Sequence, residues 1–321
     1  MEGKEKTHEA KDRSRFKNQT VYLIFVIIVV SIVATVLNPR FFTARNFFNV
    51  MQQISVLGIL SMCMALVMIS GNLDISIGNM AGLVGMVFTR MVLAGYGQLL
   101  SVVVVLVMAM ILGLINGVIV AKSGTTPLII TLGMMYVYQG IALLISEGRP
   151  HSLGGRFQFL GRAKIGPIPF TIIVYLVIFG LALFLRRYTT YGRRLNAIGG
   201  NRQAAFLSGI NVHRHVISIY ALSGLIAGLG GLVLASRLGM VRADSGLGYE
   251  LQALAAVIIG GITFEGGRGS LVGAFFGVLL LGLMYNAMNI IGVSSYMQTM
   301  FLGAIIVIAT VVSNIGKKKS G

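Results

Sequence analysis

Apolar residues in this chain gather in long runs, separated by short polar or glycine-rich stretches. They do not show the alternation of a half-buried strand or the narrow stripe of a surface helix. Crossing the hydrocarbon core of a bilayer takes a helix of roughly 20 mostly apolar residues. On that measure the pattern predicts ten spans, near 21–37, 54–70, 76–95, 99–121, 126–146, 168–186, 216–236, 250–262, 270–291 and 296–314. The run at 250–262 is short, and fits a re-entrant or half helix as well as a full crossing. The first run, VYLIFVIIVVSIVATVL, ends in Asn38-Pro39-Arg40. It is longer than the roughly 7–15 apolar residues of a signal-peptide core and lacks a small-residue cleavage site, so it predicts an uncleaved span. The expected architecture is all-α and polytopic: a polar, flexible tail over 1–20, one transmembrane domain over 21–314 and a basic tail over 315–321.

Composition supports a membrane protein. Of 321 residues, 56% are hydrophobic and 11% charged, with a mean hydropathy of +0.87. Soluble domains carry roughly 25% charged residues. A soluble fold of this size could not cover itself with so few. The net charge is +17, from 26 Lys and Arg against 9 Asp and Glu. Such a balance can be the footprint of nucleic-acid binding. Here the charges cluster at the ends of apolar runs, where they set orientation, so no nucleic-acid partner is expected. Lys4, Lys6, Lys11, Arg13, Arg15 and Lys17, with the terminal GKKKSG, put both termini in the cytoplasm. An even number of spans agrees. The loop 187–215, with Arg187, Arg193, Arg194, Arg202 and Arg214, falls on the same side. The loop 147–167 falls outside, against the rule, because Arg149, Arg156, Arg162 and Lys164 lie on it.

Catalytic chemistry has no foothold. GxxxxGK[ST], HExxH and CxxC are absent, Cys63 is the single cysteine, and His8, His151, His213 and His215 have no metal or triad partner nearby. No enzyme activity, cofactor or metal is expected on this chain. Beyond the N-terminal tail the acids are Asp74, Glu147, Asp244, Glu250 and Glu265. Asp74 and Asn72 stand in SGNLDISIG, between two spans and among glycines that permit a tight turn. Two roles suit Asp74: capping the helix that starts near Ser76, or holding a helix break that lines a path. Asn116, Gln139, Asn286, Asn289 and Gln298 lie inside other spans. Polar groups in lipid need partners, so they should face the bundle interior, as inter-helix bonds or as the lining of a path for a hydroxyl-rich solute.

There are 42 glycines. GSLVGAFFG (Gly269, Gly273, Gly277) and the Gly224–Gly228 pair in SGLIAGLGG carry the spacing that lets membrane helices pack closely. A weak internal similarity links 71–85 with 260–273, each a Gly-rich, acid-containing turn before a span.

Residues 191–210, YGRRLNAIGGNRQAAFLSGI, leave the membrane through Arg193 and Arg194. Gly199-Gly200 predicts a flexible break, Asn201 an N-cap, and Gly209 the residue that ends a short helix. Ala204, Ala205, Phe206 and Leu207 would form an apolar strip beside Arg202. Such a strip suits docking into a groove on another protein, or lying on a membrane surface.

Three stretches carry a family likeness: GNLDISIG, YGRRLNAIGGNRQAAFLSGI and AAVIIGGITFEGGRGSLVGAFFGVLLLGLMYNAMNIIGV. They resemble, in order, the permease subunits of bacterial ABC importers for ribose, xylose, galactose and related sugars, a likeness that covers about residues 38–314. The one departure is Asn72, where relatives usually have a second glycine. The resemblance implies about ten spans, with an architecture like the vitamin B12-type importers. It implies a location in the bacterial inner membrane and half of a pore completed by a second copy or a paralogue. It also implies a separate ABC ATPase subunit that carries ATP and Mg, and an extracytoplasmic sugar-binding protein. Asn201 to Ile210 would be the coupling helix. A nucleoside, a polyol or a furanone-type signal molecule are alternative solutes. An ion-coupled carrier and a passive channel are the alternatives outside this family.

Overall fold

The computed structural model describes the backbone of residues 2–318, and the side chains of 20–308 and Val311. The protein is 77% helical, so the all-α expectation holds. Every apolar run read from the sequence is a helix: α1 (Glu2–Leu37), α2 (Ala44–Ile69), α3 (Ile77–Leu93), α4 (Gln98–Ser123), α5 (Pro127–Ser146), α7 (Phe170–Tyr188), α10 (Val212–Leu238), α11 (Tyr249–Ile259), α12 (Leu271–Ile290) and α13 (Ser295–Lys318). Among the described residues seven of these are long and apolar enough to cross a membrane, while α3, α11 and the stretch Ser295–Ile308 of α13 are shorter. Three short helices complete the set: α6 (Phe159–Arg162), α8 (Thr190–Gly200) and α9 (Arg202–Leu207). The polar stretch expected to be a flexible tail is helical from Glu2, as an extension of the first span. The end of the basic tail expected over 315–321 lies outside the described residues.

Burial orders the bundle. The apolar window of α2 is 89% buried, against 11% for α1, so α2 is the central pillar and α1 lies at the edge. A helix that is apolar on all sides must be enclosed by others, and α2 packs on α7, α10, α11 and α12. The closest seams use glycine as expected. Gly113 and Gly117 of α4 lie against the backbone of Tyr220, Gly224 and Ile217 in α10, and Gly273 and Gly277 of α12 against the carbonyls of Gly260 and Ala256. A side chain at any of these positions would force the helices apart.

The two ends of the bundle differ. At one end α6 sits on the end of α10, where the Gly161 N–H donates to Ser236 Oγ (2.8 Å) and Gln52 Nε2 donates to the Gly161 carbonyl (2.6 Å). There β1 (His151–Ser152) pairs antiparallel with β4 (Met240–Val241), and β2 (Lys164–Ile165) with β3 (Ile168–Pro169). Arg156 Nη1 donates to the Val92 carbonyl (3.1 Å) in the last turn of α3. That arginine serves a helix C-terminus, where a cation and a free carbonyl attract each other. Its presence in a loop expected outside therefore has a local cause. The opposite end carries α8 and α9.

Two helices, α3 and α11, are entered through non-helical chain. After α2 ends, Gly71 (φ +74°) and the Asn72 N–H, which donates to the Val67 carbonyl (3.2 Å), fold the chain back before α3 begins. After α10, residues 240–248 come down from the α6 end, with Val241, Ala243 and Gly246 passing Gly85, Gly82 and Gly78 of α3 in turn. Only then does α11 start. With 11 residues, at 1.5 Å per residue, it is about 16 Å long, roughly half of the hydrocarbon core. The short run at 250–262 is a half helix led in by a series of turns over 243–248.

Candidate functional site

Two places bring together the polar and exposed residues singled out in the sequence. The first is a buried knot at the start of α3. Asp74 is wholly buried, and its Oδ1 accepts from the Ser76 N–H (3.0 Å) and the Ser76 hydroxyl (2.6 Å). Asn116 Nδ2 on α4 donates to Ser76 Oγ (2.8 Å), and Asn116 Oδ1 accepts from the Tyr138 hydroxyl on α5 (2.7 Å). One chain of bonds thus ties the break to two neighbouring helices. Two more side chains reach the same segment: the Tyr220 hydroxyl of α10 donates to the Leu73 carbonyl (2.7 Å), and Thr131 Oγ1 of α5 accepts from the Ile75 N–H (3.2 Å). Asn72 donates to the carbonyl (3.1 Å) and hydroxyl (3.0 Å) of Ser70.

Asp74 is therefore not a simple helix cap. The N-cap residue of α3 is Ser76, which makes no side-chain cap bond, and Asp74 holds Ser76 from two residues upstream. Its Oδ2 has no partner, nor have Asn72 Oδ1 and Asn79 Oδ1 nearby. Unpaired buried polar atoms are uncommon, and each calls for an explanation.

The remaining in-span polar residues are elsewhere. Gln139 is half-buried on α5, outside these bonds. Asn286 on α12 exchanges two bonds with Asn46 on α2 (2.9 and 3.0 Å). Asn289 is exposed, contrary to the inward-facing expectation, and accepts from Gln298 Nε2 (2.8 Å). Asn286 and Asn289 both belong to the C-terminal end of α12 and share no hydrogen bond with Asp74. Ser76, Thr131, Tyr138 and Tyr220 are members of the knot that the sequence reading missed. Only Ser76, two residues from Asp74, carried a local signal.

The second place is the α8–α9 corner. Thr189 caps α8, its hydroxyl accepting from the Gly192 N–H (3.2 Å). Tyr191 bonds Ser218 of α10 (2.8 Å) and stacks on His215, which fixes α8 against the bundle. Asn201 caps α9 as expected, its Oδ1 accepting from the Ala204 N–H (2.9 Å). Gly209 (φ +79°) closes α9, with its N–H on the Phe206 carbonyl (3.0 Å).

Two expectations need correction here. Gly199 and Gly200 are not a flexible break: they form the last turn of α8, and Asn201 donates its own N–H to the Ala197 carbonyl (3.0 Å). One residue therefore closes α8 and opens α9, a stiff corner rather than a hinge. Nor does Ala205 belong to the exposed strip, being 4% exposed. Phe206 and Leu207, at 65% and 78%, carry the free apolar face, with Arg202 and Ala204 exposed beside it.

A family model described as "Branched-chain amino acid transport system / permease component" matches residues 46–310. The chain belongs to this family of transport permeases. It is 36% identical to the ribose import permease protein RbsC of Escherichia coli K12, over 91% of this chain and 92% of that one. It is 34% identical to the D-allose transport system permease protein AlsC of the same strain (92% and 91%), and 31% identical to the L-arabinose ABC transporter permease protein AraH of Azospirillum brasilense (90% and 85%). The resemblance to permeases of ABC sugar importers is thereby borne out. No solved structure matches, so the likeness to vitamin B12-type importers rests on the sequence resemblance alone.

Proposed function

We infer that this chain is the membrane-spanning subunit of an ATP-driven importer for a monosaccharide, a pentose such as ribose or a related sugar. The observation that carries this reading is the corner: a stiffly held six-residue helix whose only prominent feature is the exposed Phe206–Leu207 face. Apolar side chains held in a fixed direction at the end of a short helix suit a groove on another protein. The partner is an ABC ATPase subunit that binds ATP and Mg itself. The relatives' ribose, allose and arabinose support a sugar as the solute. An extracytoplasmic binding protein delivers it, and a second permease copy or a paralogue completes the pore. Both termini face the cytoplasm of a bacterial inner-membrane protein, because the basic residues of 187–215 flank the docking corner.

The test is Phe206→Asp with Leu207→Asp, assayed for co-purification of the ATPase and for uptake. Loss of both, with the chain still inserted and folded, is the expected outcome. Unchanged ATPase capture would remove α9 as the docking element. Uptake by the lone wild-type chain in liposomes under an ion gradient would replace the importer with an ion-coupled carrier, and would turn attention to Asp74.

A further inference from the structure

Five glycines from three distant segments meet beneath the corner. A Cβ on Gly199 would strike the Ile69 carbonyl at the end of α2 and the Gly267 N–H in the turn between α11 and α12. A Cβ on Gly266 would strike the backbone of Gly71, and one on Gly267 the backbone N of Gly200 (2.5 Å). Gly71, Gly266 and Gly267 all have left-handed backbones (φ +74°, +79° and +69°), which side chains rarely adopt. The Gly267 N–H donates to the Ile69 carbonyl (2.7 Å), so the two turns are bonded directly to each other. Arg186 adds a clamp: its Nη2 donates to the Gly269 carbonyl (2.7 Å) and its Nε to Asn196 Oδ1 of α8 (3.4 Å).

We propose that Gly199 is a positioning residue through which movement of the α8–α9 corner reaches both the α2–α3 turn and the α11–α12 turn. The proposal rests on the docking role given to α9. Where backbone touches backbone there are no side-chain rotamers to absorb a displacement, and close-packed contacts pass it on. On one side of the contact stands the stiff corner. On the other stand the turn that leads through Asp74 into α3, and the turn between α11 and α12. A shift of α9 therefore displaces Ile69–Ser76 and Gly260–Ser270 together.

The experiment uses the assembled permease–ATPase complex in proteoliposomes and compares Gly199→Ala with Gly200→Ala. Both add the same methyl group to the same helical turn, but a Cβ on Gly200 meets nothing within 4 Å. With Gly199→Ala the ATPase stays bound while uptake per ATP hydrolysed falls about tenfold, within the usual range of coupling between sites. Gly200→Ala keeps the wild-type ratio. A wild-type ratio in Gly199→Ala, or an equal loss in both, overturns the proposal. Should Gly199→Ala fail to assemble, hydrogen exchange on the unmutated complex decides. Residues 66–76 and 260–270 should change protection together with 199–209 when ATP is trapped. A change confined to 199–209 overturns the junction and leaves docking intact. If adding the ATPase gives α9 no protection at all, the docking reading falls and the junction with it.

Discussion

The buried knot around Asp74 and the corner at α9 break the same rule in opposite directions. In the knot, a carboxyl, a hydroxyl, a carboxamide and a phenol lie in the apolar middle of a helical bundle. At the corner, Phe206 and Leu207 stand exposed on a surface that otherwise carries arginines. Polar groups removed from water cost free energy unless each is bonded, and exposed apolar patches on a folded protein tend to mark interaction sites. The two deviations also differ in completeness. The knot is largely satisfied from within, leaving Asp74 Oδ2 over with Asn72 Oδ1 and Asn79 Oδ1 nearby. At the corner Phe206 and Leu207 stay exposed, and the proposed ATPase groove would cover them.

The largest effect separating the two regions should come from the corner. Phe206→Asp with Leu207→Asp should weaken ATPase binding about 100-fold, typical for the loss of central apolar anchors. The unfolding midpoint should hardly move, because both side chains are exposed. Titration of purified ATPase against the two forms measures the first, and thermal unfolding in detergent the second. Ala205→Arg would not serve as the docking variant. Its side chain would be forced into the packed side of α9, and overfilling such a site costs about 1–3 kcal/mol of stability.

A smaller effect belongs to the knot. Asn116→Leu removes the middle member and strips Ser76 and Tyr138 each of one partner. Ser76 keeps Asp74 and Tyr138 keeps the Leu112 carbonyl, so the expected loss is about 2 kcal/mol, two buried hydrogen bonds at about 1 kcal/mol each. Asn289→Leu, at an exposed pair, should stay within about 0.5 kcal/mol. Chemical unfolding of both variants in the same detergent makes the comparison. Equal losses would mean that the buried bonds do not hold the break.

How much of this was legible depends on how far apart the partners lie. Asn201 and Gly209 were read correctly because a cap bonds to residues three positions away. Asn116 and Tyr138 are 22 residues apart, and Tyr220 and Leu73 are 147 apart. Nothing local in an apolar run marks which tyrosine turns inward to bond. Gly199-Gly200 misled for the same reason. Glycine disfavours a helix locally, yet here the neighbouring segments leave room for nothing larger at Gly199. The weak likeness between 71–85 and 260–273 turned out to have a physical counterpart. Each contributes a glycine turn between two helices, and the two turns touch.

The smallest effect concerns the loop that resisted the charge rule. Arg156 lies in the segment expected outside, but its guanidinium is engaged by the Val92 carbonyl at the end of α3. A cation at a helix C-terminus contributes about 0.3–1 kcal/mol when partly exposed, so Arg156→Ala should cost about 0.5 kcal/mol. Arg149, exposed in the same loop, supplies the control, and Arg149→Ala should cost nothing measurable. The orientation should be unchanged with Arg156→Ala, because this arginine serves the C-terminus of α3. Accessibility of single cysteines introduced at 149 and 193, in a Cys63→Ala background, reads the topology directly. Labelling of both sites from the same side would overturn the assignment of these two loops to opposite faces, and labelling of 193 from outside would overturn the cytoplasmic position of α9.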